Sequence, residues 1–454
     1  MFATINPVNN QSVASFPVLN EVELSEKLAL AENTYYKEWR GRTVQKRSDF
    51  AKKIGENLRR NAEDYAQLIT LEMGKPITQS RAEIEKCAWL CDYFSEKAAG
   101  FLEDKIIETD YRKSYVRYEP SGAVLGIMPW NFPFWQAIRF AIPAFCAGNV
   151  ILLKPAPNVP QCGLALEKIF MEVTGKEGVF QTLLIETEQT ETVIAHSIVR
   201  GIALTGSDRA GAKVAALAGK YLKRCVMELG GSDPFIVLED ADVEKAAKLG
   251  VQSRMNNAGQ TCIAAKRFIV HESVVATFKA ALDKNIDQLK IGDPTQKDTN
   301  MGTMARPDLR DELEKQVKES VAKGAKVIHE GGKIEDKGSF FEPMILTGIQ
   351  PGMPAYEAEL FGPVISLFPI QNDEEAIALA NDSVYGLGAA VWSADTERAL
   401  HIAKQLEVGF VAINDFVKSD PRLPFGGVKR SGFGREMAEE GIKEFVNIKT
   451  IVIK

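Results

Sequence analysis

Cys262 is the residue whose type and setting most readily indicate covalent chemistry. It ends the small, polar segment Asn-Asn-Ala-Gly-Gln-Thr-Cys (256–262), which precedes a β-prone run at 267–270. A thiol in such a loop is either a nucleophile, reacting as the thiolate, or a small apolar side chain packed in the core. Taken alone, the packing interpretation is the more common one. The nucleophile hypothesis therefore needs further groups that act with the thiol.

Glu228 is a second candidate, and it lies at the end of an apolar run shortly before Gly230 and Gly231. Because glycine has no Cβ, the backbone there can approach a ligand closely. A carboxylate buried at this point could act as a general base if burial raises its pKa towards neutrality. The alternative is a surface glutamate at a strand end, and an isolated Glu-Leu-Gly-Gly favours that alternative.

Asn131 lies in an aromatic turn between two prolines, Pro-Trp-Asn-Phe-Pro (129–133), directly after a β-prone run. Its amide on this stiff backbone could hold an oxyanion together with the backbone N–H of Cys262. Loss of one such donor typically costs roughly 2.7–4 kcal/mol of transition-state stabilisation. The alternative is a capped turn with a packed tryptophan.

The elements that must position these groups follow from apolar periodicity. Apolar residues at three- and four-residue steps predict a helical region from about 24 to 101. Two β-prone runs within 111–128, joined at Pro120-Ser-Gly122, predict a hairpin. Beyond it, short apolar runs alternate with helical stretches, which predicts βαβ units and a mainly parallel sheet.

The same alternation resumes after Cys262, over 267–368 and 374–414, and predicts a second α/β domain. The final run, 445–454, is β-prone and would form an exposed edge if unpaired. We expect a partner subunit to cover that edge.

Composition excludes several classes of protein. The 454 residues are 45% hydrophobic and 26% charged, which is typical of globular chains. The formal net charge of −6, without a dense run of Lys and Arg, argues against a nucleic-acid or anionic-membrane partner. The start lacks the pattern of a secretory signal, and no stretch of 18 apolar residues follows, so we expect a cytoplasmic protein.

Six cysteines are few for this length and suit reduced thiols in a reducing compartment. Cys87 and Cys91 lie four residues apart on a predicted helix, a spacing compatible with a metal or redox pair. Core packing is the favoured interpretation, and we predict no metal site.

Five motifs, in order along the chain, resemble the signatures of the aldehyde dehydrogenase superfamily. They are Pro-Trp-Asn-Phe-Pro (129–133), Glu-Leu-Gly-Gly (228–231), Gly-Gln-Thr-Cys (259–262), Glu-Leu-Phe-Gly-Pro (359–363) and Pro-Phe-Gly-Gly-Val-Lys-Arg-Ser-Gly-Phe-Gly-Arg-Glu (424–436). The resemblance spans nearly the entire chain, and the 34-residue separation of Glu228 from Cys262 also fits the family. In this context the nucleophile interpretation of Cys262 is favoured over packing.

The resemblance implies a reaction in two stages. The Cys262 thiolate attacks an aldehyde carbon while Asn131 and the Cys262 amide hold the oxyanion, and hydride passes to a nicotinamide. A water deprotonated by Glu228 then hydrolyses the thioester. Relatives that pass the acyl group to coenzyme A generally lack this glutamate, so its presence implies a free acid product.

Gly206 and Ser207 follow a predicted strand and open a helix, where phosphate oxygens would meet free N–H groups. Helix capping explains the same residues, but they resemble the family's phosphate-contacting turn. Lys154 matches a lysine that in relatives contacts the adenosine ribose. Pro157 stands where many NAD-specific relatives carry a glutamate that would repel a 2′-phosphate, so we expect NAD or NADP to be used. The resemblance assigns four more residues to the cofactor: Trp130, Gly230, Glu359 and Phe361.

Arg139 interrupts the edge of an apolar helical stripe eight residues after Asn131. It is either a structural ion-pair or snorkelling residue or, as the resemblance to succinate-semialdehyde dehydrogenases implies, the group that grips a substrate carboxylate. Ser419, Arg422 and Phe425 are predicted to complete the substrate pocket. Some of those enzymes carry a second arginine where this chain has Asn256. Glutarate semialdehyde, an uncharged aliphatic aldehyde and a non-catalytic dinucleotide-binding role remain alternatives.

The fold implied by the resemblance is α/β in three parts. A Rossmann-like cofactor domain is expected over 1–110 and 127–227, and a second α/β domain with the nucleophile over 228–425. A small β element over 111–126 and 440–454 resembles the family's oligomerisation element and predicts a homodimer or homotetramer.

Overall fold

Helices dominate the first hundred positions of the chain, whose computed structural model describes residues 2–334 and 338–454. The helical region predicted for 24–101 is confirmed, and the two short strands before it were not predicted. A side-chain cap starts the first helix, because Asn20 accepts from Val22 N and Glu23 N while Glu23 accepts from Asn20 N. The elements are β1 (Phe2–Asn6), β2 (Gln11–Phe16), α1 (Glu21–Thr34), a π-helical turn (Tyr35–Trp39), α2 (Val44–Arg60), α3 (Ala62–Met73) and α4 (Ile77–Phe101).

The first large sheet contains five parallel strands flanked by helices, as the alternating pattern predicts. These five have the order β9-β8-β5-β6-β7, and a short antiparallel strand from the C-terminal segment adds beside β9. The elements of this part are β3 (Lys105–Ile106), β4 (Lys113–Pro120), β5 (Ala123–Ile127), α5 (Pro133–Ala147), β6 (Val150–Lys154), α6 (Pro160–Thr174), β7 (Phe180–Thr182), α7 (Thr190–Ala195), β8 (Val199–Thr205), α8 (Asp208–Lys220) and β9 (Arg224–Glu228).

The hairpin predicted within 111–128 is wrong. β4 and β5 belong to different sheets, because β5 pairs in parallel with β6 and β8 while β4 pairs with β3 and the C-terminal strand. β5 is buried along nearly its whole length, as suits a central strand covered on both faces. The turn between them is held from outside, since Asn149 Oδ1 accepts from Ser121 N at 2.8 Å and Gly122 N at 3.1 Å.

A second sheet of seven strands confirms the predicted second α/β region. Its order among the described residues is β12-β15-β16-β11-β10-β18-β19, where only β12 runs antiparallel to its neighbour. The elements of this part are β10 (Asp233–Val237), α9 (Val243–Met255), a 3-10 turn (Asn256–Gly259), β11 (Ala265–His271), a 3-10 turn (Glu272–Val274), α10 (Val275–Ile286), α11 (Pro307–Ala322), β12 (Lys326–His329), β13 (Gly332–Lys333), β14 (Phe341–Glu342), β15 (Met344–Thr347), α12 (Pro354–Glu357), β16 (Val364–Ile370), α13 (Asp373–Asn381), β17 (Tyr385–Gly386), β18 (Gly388–Trp392), α14 (Thr396–Ala403) and β19 (Phe410–Ile413).

The C-terminal segment returns to the first half of the molecule. It forms β20 (Val428–Lys429), β21 (Gly432–Phe433), α15 (Ala438–Lys443) and β22 (Val446–Ile453). β21 pairs antiparallel with the end of β9, so the last sequence motif reaches Glu228. β22 is the strand predicted at the C-terminus, and it forms a three-stranded antiparallel sheet of order β22-β4-β3, in which it is an edge strand.

Candidate active site

The predicted site residues follow the carboxyl ends of parallel strands of the first sheet. Glu228 is the last residue of β9, Lys154 is the last of β6, Gly206 directly follows β8, and Asn131 lies four residues after β5. In open α/β sheets these ends form the crevice where ligands bind. The topology therefore brings together at one sheet edge residues that are far apart in the sequence.

The loop that carries Cys262 is held in an unusual backbone conformation. Asn257, Ala258 and Gly259 have φ values of 55°, 52° and 75°, which place three consecutive residues in the left-handed region. Such a conformation persists only where the surroundings over-determine it. Arg254 supplies much of that constraint, donating to the carbonyls of Gly259 at 3.1 Å, Leu360 at 2.6 Å and Val364 at 2.8 Å.

Lys266 fixes the C-terminal side of the same loop. Its Nζ donates to the carbonyl of Cys262 at 2.6 Å and to that of Thr261 at 2.9 Å, and lies 3.1 Å from Glu359 Oε1. The carbonyl of Cys262 is thus directed at the ammonium, which fixes the orientation of the residue.

The Cys262 side chain is half-buried and lines a cavity of about 230 Å³. Burial raises the pKa of the thiol to about 11, and the nearby Arg139 and Lys266 only partly offset this. Only a small part of the free protein therefore holds a thiolate at neutral pH.

Asn131 is buried beside the Cys262 loop. Its Nδ2 donates to the backbone carbonyl of Gln260 at 3.0 Å, and the backbone carbonyl of Asn131 accepts from Asn257 Nδ2 at 2.9 Å. A primary amide carries two N–H donors, so one remains for a ligand. These contacts fix the amide against the nucleophile loop, as an oxyanion donor would require.

Glu228 and Arg139 belong to one buried ionic group, each with 2% of its side chain exposed. Arg139 Nε is paired with Glu436, and Arg139 Nη2 lies 3.9 Å from Glu228 Oε2. Burial raises the pKa of Glu228 well above its usual value, and the neighbouring Glu436 adds to the rise while Arg139 opposes it. A raised pKa suits a carboxyl group that must take up a proton near neutral pH.

The predicted substrate residues separate into two groups. Arg139, Ser419 and Phe425 line the cavity with Cys262. Arg422 does not line it: its side chain is 66% exposed, and its guanidinium is bonded to Asp420. The prediction of Arg422 in the substrate pocket is therefore corrected, because the local pair with Asp420 turns its side chain towards solvent.

The predicted cofactor residues surround the same sheet edge. Ser207 Oγ accepts from Ala210 N at 3.3 Å and so caps α8, while Gly206 N donates to the carbonyl of Glu228 at 3.0 Å. Lys154 is half-buried, and burial lowers its pKa. Position 157 is an exposed proline, which brings no carboxylate.

The other four cofactor candidates form two pairs. The rings of Trp130 and Phe361 pack edge to face with centroids 5.8 Å apart. A Cβ at Gly230 would lie 2.5 Å from Glu359 Oε2, so a side chain there would displace the Glu359 carboxylate. The capped helix start offers N–H donors that fit phosphates. The two rings offer an apolar face that fits a nicotinamide ring, and the Glu359 carboxylate offers an acceptor that fits a ribose.

Comparison with known proteins agrees with this geometry. The sequence pattern described as "Aldehyde dehydrogenase family" matches residues 1–451. The chain belongs to the aldehyde dehydrogenase family.

Relatives span almost the full length of this aldehyde dehydrogenase. A Synechocystis protein named probable succinate-semialdehyde dehydrogenase [NADP(+)] is 47% identical over 451 residues, covering 99% of each chain. An Escherichia coli K12 protein named succinate semialdehyde dehydrogenase [NAD(P)+] is 42% identical, covering 99% of this chain and 97% of its own. The crystal structure of succinic semialdehyde dehydrogenase from Streptococcus pyogenes with NADP+ aligns with a TM-score of 0.97 at 37% identity, covering all of both chains.

Two structural groups of this aldehyde dehydrogenase were not predicted from its sequence. Glu83 on α4 accepts at Oε1 from Phe134 N at 2.9 Å and Trp135 N at 3.0 Å, and so caps α5 directly after Asn131. Lys75 pairs with Glu83, and both side chains are almost fully buried. No local pattern indicates this contact, because the capping residue lies about 50 positions before the helix that it caps.

All six cysteines lie within the described residues, and each is a free thiol. Cys87 and Cys91 are fully buried, which agrees with the packing interpretation, and burial raises their pKa values. Within residues 2–334 and 338–454, three or more His, Cys, Asp or Glu side chains nowhere converge as a metal site would require. In the same part of the chain, every helix is too short or too polar to cross a bilayer.

Proposed function

We propose that this aldehyde dehydrogenase oxidises succinate semialdehyde to succinate with NADP or NAD. The observation that carries the proposal is the cavity of Cys262, which is lined by the cationic side chains Lys86 and Arg139 as well as by aromatic rings. An anionic aldehyde of four carbons suits a small cavity with positive charge. Three relatives named above carry succinate semialdehyde in their names.

Acylation starts at the loop of Cys262. The thiolate adds to the aldehyde carbon, and the resulting oxyanion accepts from Asn131 Nδ2 and from the backbone N–H of Cys262. A nicotinamide dinucleotide bound at the sheet edge supplies the hydride acceptor. Loss of hydride from the adduct on Cys262 leaves a thioester.

Deacylation uses Glu228. The carboxylate removes a proton from water, the water oxygen adds to the thioester carbon, and the Cys262 thiolate leaves, which gives the carboxylic acid. Arg139 lies 3.9 Å from Glu228. It keeps the pKa of Glu228 lower than burial alone would set it.

The cofactor is assigned to residues that offer matching groups. Gly206 and Ser207 would receive phosphates at the start of α8, Lys154 the adenosine ribose, and Glu359 with Phe361 the nicotinamide side, with Trp130 and Gly230 beside them. Since Pro157 brings no negative charge, a 2′-phosphate meets no repulsion there. Pro157→Glu is expected to weaken NADP binding at least tenfold more than NAD binding, as measured by quenching of intrinsic fluorescence.

The substrate assignment is tested by rates of nicotinamide reduction with succinate semialdehyde, glutarate semialdehyde, butanal and hexanal. A higher kcat/KM for succinate semialdehyde than for butanal, which has the same number of carbons, supports the proposal. Equal values for the two aldehydes would contradict it. If the wild-type protein turns over none of these aldehydes and so does not differ from the Cys262→Ser control, a non-catalytic dinucleotide-binding role would be favoured.

One observation favours a second candidate, an uncharged aliphatic aldehyde. Four aromatic rings line the cavity: Phe132, Trp135, Phe416 and Phe425. Such rings bind an alkyl chain without any need for a charge. The comparison of butanal and hexanal with the two semialdehydes separates these candidates directly.

We further propose the three-part organisation expected from the sequence and assembly as a homodimer or homotetramer. β22 is an edge strand, and Ile448 and Val452 on it are about half exposed, as is Ile106 on β3. Such an apolar edge is normally covered. Light scattering should give at least twice the chain mass, and Ile448→Asp should lower it; a monomeric native protein would contradict this.

The six free thiols support a cytoplasmic location, which cell fractionation tests.

A further inference from the structure

Among the residues that the structure describes, four charged side chains line the cavity of Cys262, and three of them already have a partner of opposite charge. Glu83 pairs with Lys75, and Arg139 pairs with Glu436 and faces Glu228. The third is Lys418, whose Nζ lies 2.9 Å from Asp415 Oδ1. The remaining one is Lys86. Within the part of the chain that the structure describes, no carboxylate oxygen lies within 4.0 Å of its Nζ.

Lys86 is held in place by neutral groups. Its Nζ lies 4.4 Å from the centroid of the Trp135 ring and donates to Ser419 Oγ at 2.6 Å. An ammonium carries three donors, so donors remain after the bond to Ser419. Burial lowers the pKa of Lys86 to about 8, and the positive charge of Arg139 contributes to this. The half-buried cation thus lacks the counter-charge that such a group requires.

The nearest acid on the adjacent loop is engaged elsewhere. Asp420 follows Ser419, but its two oxygens accept from Arg422 Nε at 2.9 Å and Arg422 Nη2 at 2.6 Å. This bidentate pair holds Asp420 away from Lys86. Arg422 therefore keeps the cavity positive without lining it.

We propose that Lys86, with the hydroxyl of Ser419, binds the carboxylate of the substrate. This inference rests on the proposed function, because it names the group that recognises the charged end of succinate semialdehyde. Arg139 stays paired with Glu436 and faces Glu228, but its Nη2 has no hydrogen-bond partner among the described residues, so it can also donate to a ligand in the cavity. The charged end of the aldehyde lies on the side of α4, and the reacting end lies at Cys262.

Lys86→Met tests the proposal because it removes the charge and keeps a side chain that packs on Trp135. The KM for succinate semialdehyde should rise roughly tenfold to a hundredfold, as expected for a lost charged hydrogen bond. The kcat/KM for butanal should stay within about twofold, as a carboxylate-specific contact requires. The matched control is Lys97→Met on the same helix, an exposed lysine outside the cavity, which should change neither value. Calorimetric titration of succinate into the protein should show the same loss of affinity in Lys86→Met alone.

The outcomes separate this inference from the proposed function. If the wild type does not prefer succinate semialdehyde over butanal, the proposed function fails. If it does and Lys86→Met retains the wild-type KM and succinate affinity, this inference fails and Arg139 is left as the group that binds the carboxylate. If Lys86→Met loses butanal activity as well, Lys86→Arg is the deciding variant. If Lys86→Arg keeps both the preference for succinate semialdehyde and the turnover of butanal, the result supports a need for the cation. If it loses butanal turnover, the result contradicts a carboxylate-specific role.

A pH series on the wild type gives an independent test. Lys86 faces Glu83 and Cys87 on its own helix, Arg139 on α5 and Asp420 in the loop. The pKa of Cys87 is raised, that of Asp420 is lowered and that of Arg139 is raised, so none of these three changes charge near pH 8. The KM for succinate semialdehyde should rise as the pH passes upward through 8, while that for butanal stays level. Parallel profiles for the two aldehydes would overturn the assignment.

Discussion

The Cys262 loop and the turn after β8 both face the same sheet edge, but they are constrained very differently. The loop contains three consecutive left-handed residues and is held by the side chains of Arg254, Lys266 and Asn131. The turn has an exposed Ser207, whose side chain makes one 3.3 Å bond to the helix that it caps. A nucleophile must be fixed before the reaction, whereas a turn for an exchangeable cofactor needs little beyond free N–H groups. Variants should therefore have large effects on the rate near the loop and small effects at the turn.

The largest effect is expected from Glu228→Gln. It keeps the size of the side chain but removes the base, so turnover should fall roughly 10²- to 10⁴-fold. Acylation should survive: p-nitrophenyl acetate should still release a burst of one nitrophenolate per site and then stall. Loss of the burst itself would show that Glu228 also acts before the thioester forms.

Asn131→Ala should lower kcat roughly 10²- to 10³-fold through the loss of one oxyanion donor. The amide also bonds to Gln260, so the loop could shift as well. Asn131→Asp keeps the shape and separates the two effects, and it should be similarly slow because the carboxylate repels an oxyanion. A kcat of Asn131→Asp close to wild type would exclude the donor role.

The burial of Cys262 predicts a steep pH dependence of thiol alkylation. Because the pKa is raised to about 11, the thiolate fraction should rise about tenfold per pH unit from 7 to 9. The rate of modification by iodoacetamide, followed by mass spectrometry, should rise with it. The Cys262→Ser variant gives the background rate of alkylation at the half-buried Cys225. A rate that is level over this range would mean that the thiolate already predominates.

The smallest effect is expected from Ser207→Ala in the turn. Loss of the cap should cost about 1 kcal/mol of helix stability, seen as a small drop in the midpoint of urea unfolding. The kcat should be unchanged, and the Kd for the dinucleotide should rise less than about tenfold. A rate loss comparable to that of Asn131→Ala would remove the distinction between loop and turn.

Apolar periodicity in the sequence predicted the type and position of most helices and strands. The helices up to Phe101, the alternation of strands and helices, and the C-terminal strand are confirmed because apolar periodicity reports burial directly. The hairpin over 111–128 failed because two adjacent β-prone runs do not say which partners they pair with. β4 finds its main partner at the C-terminus, and β5 finds its partners at 150–154 and 199–204.

The candidate site was predictable only where a motif carried it. Cys262, Glu228 and Asn131 gained their assignment from five ordered motifs, and the structure places them at one sheet edge, while their roles remain proposals. No sequence motif contains Lys86. Its proposed role depends on the lack of a carboxylate near its ammonium group among the described residues, which only the folded structure reveals. Arg422, by contrast, looked suitable on the sequence but is engaged by a neighbour two residues away.

The pairing of β22 with β4 also concerns how the chain is made. β4 leaves the ribosome about 330 residues before its partner strand, and at typical rates of protein synthesis this amounts to roughly 15 to 70 seconds. During that interval the edge of β4 is open to any other extended chain, including another nascent copy. Overexpression at high temperature should therefore yield aggregates in which the segment protected from proteolysis begins near residue 113. A chaperone that shields this strand should raise the yield of soluble protein.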